Sequence, residues 1–148
     1  EYDANAPADM VVTLHACDTA TDYALHNAVC RGARMILSVP CCQHELNGQI
    51  ASDKLKLITR YGIIKERFAA LMTDAIRANL LESCGYKTQV LEFVDLSHTP
   101  KNLLIRAIKK RPALDNAGRI ALDEAKTLME EFSLKPTLYS LLYPHSAD

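Results

Sequence analysis

Tryptophan is absent, aromatic residues make up 6 %, and the five glycines, at positions 32, 48, 62, 85 and 118, are scattered. No G-x-G-x-x-G fingerprint can be drawn through them, so these residues hold no glycine-rich turn of the kind that cradles a dinucleotide phosphate. A strong charge of either sign is also missing. The formal net charge of 148 residues is -1, where a strongly basic total would be the usual footprint of a phosphate-binding domain. No apolar run approaches the length that crosses a bilayer, and no basic segment followed by an apolar one opens the chain. The composition implies no membrane and a cytoplasmic location. Five cysteines form no even framework, which speaks against a secreted disulfide scaffold and for reduced thiols. The first residue is Glu1, and "EYDANAPAD" is loop-like, so the chain reads as a piece of a longer one.

What is present begins with two short apolar runs, 10–14 and 34–39, each ending in sulfur-bearing and polar residues: "HACDTATD" after the first and "PCCQHEL" after the second. The valine-rich run 10–14 suits a strand buried on both faces. Thr19 and Asp22 have the spacing of a capping box, an apolar stripe of Tyr23, Ala24, Leu25, Ala28 and Val29 follows, and Gly32 stops the helix. Strand, helix, glycine, strand is a βαβ unit with a right-handed crossover.

Residues 52–85 read as helical with a break at Gly62 and a C-cap at Gly85. Spacings of three and four place Phe68, Leu71, Met72, Ala75, Ile76 and Leu80 inward. Lys65, Glu66, Arg67, Asp74 and Arg77 fall mostly outward. Residues 88–94 read as a strand, whereas "NLLIRAIKK" fits a strand and a two-turn helix equally. Residues 116–132 are helical, and Lys135-Pro136 opens a short last helix. The expectation is one α/β domain over 1–148, with sheet and helices in 9–112 and a helical tail in 113–148.

"LHACDTATD", "VPCCQHEL", "RYGIIKERFAALMTDAIRANLLESCGY" and "HTPKNLLIRA" resemble the later half of class I S-adenosylmethionine-dependent methyltransferases, in particular the methyltransferase-like group described as putative RNA methylases. The resemblance implies the C-terminal half of a Rossmann-like sheet, strands four, five, seven and six, the last in sequence antiparallel and inserted between the fifth and sixth. It makes 103–109 that reversed strand. It also implies S-adenosylmethionine as cofactor in the complete protein and RNA as substrate. The cofactor's glycine-rich turn does not precede Asp9, so the chain taken alone is expected to be N-terminally truncated and inactive.

Ligands of open α/β sheets sit beyond the carboxyl ends of the strands. The two loops therefore supply the candidate site. The resemblance assigns His15, Ala16 and Cys17 to the cofactor side; Pro40, Cys42, Thr19 and Asp22 to substrate; and Cys41, Asp18 and His44 to catalysis. Three readings of the cysteines stand side by side. They line the pocket while the methyl acceptor is merely aligned; or a thiolate activated by His44 or His15 attacks a pyrimidine ring; or His15, Cys17, Cys41, Cys42 and His44 hold zinc. No residue is assigned to a metal, because C-C-x-H lacks the usual zinc-loop spacing. Asp18, Thr19 and Asp22 serve equally well as helix caps, and Cys30 and Cys84 as small buried hydrophobes. Lys101, Arg106, Lys109, Lys110 and Arg111 form a basic cluster without interleaved aromatics. The strand 10–14, shorn of a neighbour, would offer an edge for self-association. A non-catalytic Rossmann-like module that binds a partner is the alternative to an enzyme.

Overall fold

A computed structural model describes residues 6–92 and 103–144. Four strands form one open sheet in the order β1-β2-β4-β3, with β1 at Met10–Leu14, β2 at Met35–Val39, β3 at Tyr86–Glu92 and β4 at Leu103–Lys109. β1 and β2 are parallel, and β4 runs antiparallel to both β2 and β3. The ambiguous "NLLIRAIKK" is thus a strand, because its register lets Ile105 and Ala107 enter the core beside Ser38 and Ile36. The expected strand 88–94 starts earlier, at Tyr86; its end at 93–94, Lys101 and the histidines at 98 and 145 lie outside the described residues.

α1 (Thr19–Cys30) joins β1 to β2, and Gly32 ends it at φ +64°, a conformation that costs glycine nothing. A short α2 (Glu45–Gln49), which the sequence pattern does not announce, follows β2. A 3₁₀ turn (Asp53–Leu55) and α3 (Lys56–Thr59) lead to α4 (Gly62–Ser83), so the break at Gly62 is real. α5 (Asn116–Glu131) is capped by Asp115, whose side chain accepts from Gly118 N at 2.8 Å. α6 (Thr137–Leu142) closes the described chain.

The sheet is covered on one face. Ile36, Ile105 and Ala107 point to the core with Leu25, Ile76, Leu80 and Leu81, and burial of each of the larger apolar side chains is worth about 1.5–3 kcal/mol; Ser38, buried beside them, accepts from Thr13 Oγ1. The opposite face carries Met10, Val12 and Leu14 at 54 %, 50 % and 63 % exposure, in register with half-buried Met35, Leu37 and Val39. The expectation of a first strand buried on both faces is therefore corrected: among the described residues β1 is an edge strand with one exposed apolar face.

The face assignment of α4 is corrected as well. Leu71 and Ala75 are exposed, whereas Asp74 and Arg77 are buried. The cause is a partner remote in sequence. Arg77 Nε donates to Asp22 Oδ1 at 2.8 Å and its Nη2 to Asp22 Oδ2 at 2.9 Å, while Nη1 donates to Asp74 Oδ1 at 3.0 Å. A guanidinium with 2 % of its side chain exposed is tolerable because fork-shaped pairing replaces its water.

Candidate functional site

The carboxyl ends of β1 and β2 lie side by side because the strands are parallel neighbours in register, Leu14 opposite Val39. The loops that follow, 15–18 and 40–44, consequently meet. They are fastened through Asp18. Its backbone N donates to Cys42 O at 3.1 Å, and its Oδ1 accepts from the backbone N of His44 at 2.9 Å and of Glu45 at 3.0 Å. Asp18 thus satisfies backbone donors at the start of α2, across the site from its own helix. Its carbonyl in turn accepts from Arg77 Nη2 at 2.9 Å, which ties the surface clamp to the buried ion cluster.

The clamp holds an unusual backbone. His15 and Asp18 have φ of 56° and 51°, positive values that cost a residue with a side chain on the order of 1 kcal/mol each. Bonds to Asp18 from the second loop, from the start of α2 and from α4 supply the constraint that keeps it there.

Between these two residues Cys17 meets the second loop. Its Sγ stands 3.2 Å from Cys41 Sγ and 3.7 Å from Cys42 Sγ. All three sulfurs lie within 4.8 Å of one another. Neither His15 nor His44 joins the group among the described residues, and both are exposed. The Cys41 thiol is pushed up to about 11 by hydrogen bonding with Cys17, by burial and by Cys42. At neutral pH it is a protonated thiol, unlike an activated nucleophile.

The other assigned residues divide. Ala16 accepts a short hydrogen bond from Thr21 Oγ1, which fixes the loop. Thr19 begins α1, but Asp18 is the N-cap residue and no side-chain capping bond forms there, so the capping box of Thr19 and Asp22 is not made. Asp22 is buried with both oxygens on Arg77, and Pro40 is buried. Cys42 is half-buried. The exposed part of the arrangement is accordingly His15, Cys17 and His44, with Cys41 and Cys42 behind them.

Sequence reasoning missed Arg77, Asp74 and Gln43. Gln43 Nε2 donates to Asp74 Oδ2 at 2.8 Å, and its own buried Oε1 has no donor among the described residues. Two carboxylates share one guanidinium. Burial pushes the Asp74 carboxyl up to about 6, against the pull of Arg77 and of Gln43. The available signal was the opposite charge of Asp74 and Arg77 at i,i+3, a spacing common on solvated helices too.

Within the basic cluster, Lys109 and Arg111 are engaged by neighbouring groups. Lys109 Nζ donates to Cys84 O and lies 4.9 Å from the Tyr86 ring centre, and Arg111 pairs with Glu82 and Asp115. A cleft of about 560 Å³ lined by Lys126, Met129, Leu134, Tyr139 and their neighbours lies at α5 and α6, and contains none of the assigned residues.

An open mixed α/β sheet with ligand-type residues gathered at its strand ends is consistent with a Rossmann-like fold. A family model described as a methyltransferase domain matches residues 2–49, about a third of the chain. The match supports a methyltransferase and covers β1, α1, β2 and both loops of the site. No curated protein and no solved structure matches the chain. Among the described residues, no helix is long and apolar enough to cross a membrane.

Proposed function

We propose that the chain is the substrate-side part of an S-adenosylmethionine-dependent methyltransferase, its strands corresponding to the fourth, fifth, seventh and sixth of the class I sheet. The observation that carries this reading is the methyltransferase-domain match over 2–49, because it falls on the stretch whose two loops the fold brings together. The reversed β4 between β2 and β3 agrees with it.

Bound S-adenosylmethionine would supply an electrophilic methyl group to an acceptor oxygen or nitrogen held beside the loops 15–18 and 40–44. His15, Ala16 and Cys17 form the wall on the cofactor side. Cys42 and Thr19 lie toward the acceptor. Of the groups assigned to catalysis, His44 is the exposed one, placed to act as the base. Asp18 holds the loops, and Cys41 serves as a wall, since a thiol held near 11 disfavours covalent attack on a pyrimidine. RNA is the acceptor class we favour; the engagement of Lys109 and Arg111 within the fold leaves Arg106 and Lys110 as its main electrostatic support.

Calorimetric titration with S-adenosylmethionine tests the reading on this chain and on the longest gene product that contains it. Binding by the longer form with His15→Ala weakening it is the expected result. Absence of binding in both overturns it. A second reading, a non-catalytic module that binds a second copy along β1, is favoured by one observation, the exposed apolar face of an edge strand.

A further inference from the structure

We propose that Cys17, Cys41 and Cys42 form a zinc site at the carboxyl edge of the sheet, with three thiolate ligands and a fourth position open to water or a small ligand. Zinc–thiolate bonds of about 2.3 Å set tetrahedral sulfur–sulfur separations near 3.8 Å. The observed 3.2 Å and 3.7 Å lie below that value, the second almost at it, and the third separation stays within 4.8 Å. Small side-chain rotations bring all three to it.

The donors come from two loops, and the protein has already met the cost of bringing them together. Asp18 binds the second loop through three backbone hydrogen bonds, and Arg77 holds Asp18 from beneath. Such support is what orients ligands in a durable metal site. Soft sulfur donors select zinc or monovalent copper over magnesium, calcium and manganese. No histidine or carboxylate among the described residues completes the set, and Cys17 is exposed, so the fourth position faces solvent. On binding, each thiol gives its proton to the medium as its sulfur becomes a ligand, with no change of oxidation state. This reading stands apart from the methyl-transfer proposal and does not require the cofactor.

The test uses the reduced chain, purified without oxygen, and titrated with zinc against a chromophoric chelator. Cobalt(II) loading gives a second readout. One ion per chain is expected, with a tetrahedral, sulfur-rich cobalt spectrum. Cys17→Ser, Cys41→Ser and Cys42→Ser should each weaken zinc at least as much as the roughly 10–100-fold that loss of an outer-shell partner costs. Cys30→Ser and Cys84→Ser should leave it unchanged. A pale six-coordinate cobalt spectrum, or equal affinity in Cys17→Ser and the unaltered chain, overturns the site. So does displacement by Cys30→Ser, which would locate binding at His26 and Cys30, 3.4 Å apart on α1. Should a serine variant fail to fold, the spectrum of the unaltered chain decides.

Discussion

Asp74 is a carboxyl with half a counterion. Arg77 gives both its best-placed donors to Asp22 and one to Asp74, and burial does the rest. A folded value near 6 lies above the ordinary 3.8 of the unfolded chain, so the folded state binds the proton more tightly. The stability from this group is therefore fully present below about pH 4 and is lost as pH rises to about 6. A shift of about two units corresponds to something on the order of 3 kcal/mol. Asp74→Asn keeps the shape and removes the titration. Its stability relative to the unaltered chain, followed by urea unfolding, should rise between pH 4 and 6 and then level off. A difference that is flat across that range would mean Asp74 is ionised throughout. None of this was legible in α4 itself. Helical periodicity sends charged residues to solvent, and only the partner at position 22, met through the fold, reverses the assignment of Asp74 and Arg77. The cysteines were better placed for reading, since parallel neighbouring strands must end side by side; what the sequence could not supply was the loop path that leaves His15 and His44 outside the sulfur group.

At the scale of elements, β1, β2, β3 and the major helices follow from apolar runs and helix stops, β4 does not because its run suits a strand and a helix equally, and the short α2 escapes because it is fixed by Asp18 from another loop. The turn from α4 to β3 is the most constrained junction. Gly85 has φ +88°, and a Cβ there would stand 2.2 Å from Arg111 O and 2.8 Å from Pro112 O. Both obstacles are backbone and cannot swing aside. Gly85→Ala should cost more than about 2 kcal/mol, combining the left-handed penalty with the clash, and differential scanning calorimetry should show the lower melting temperature. A change within half that amount would mean the corner can open without disturbing β4.

At the scale of the molecule, among the described residues, the sheet has a covered face and a partly exposed one. Among the described residues β1 has a neighbour on one side alone, and Met10, Val12 and Leu14 add apolar side chains to its unpaired backbone. Edges of this kind are templates for pairing with a further strand. If a second copy fills the place, sedimentation should show association that grows with concentration, and Val12→Lys should shift it toward the monomer. A monomer at every concentration would remove the binding-module reading's main support.

The same one-sided strand has a consequence for amide hydrogen exchange. Along Met10–Leu14 the backbone N–H groups alternate between those aimed at β2 and those aimed outward, so neighbouring amides in one strand should differ sharply in protection. The protected ones report how often the whole strand peels from β2, an opening that leaves the helical core intact and lies below the free energy of global unfolding. Asp18 keeps its bonds to the second loop and to Arg77 while the strand peels, so the slow amides of β1 should exchange through an opening that leaves Cys17 beside Cys41 and Cys42.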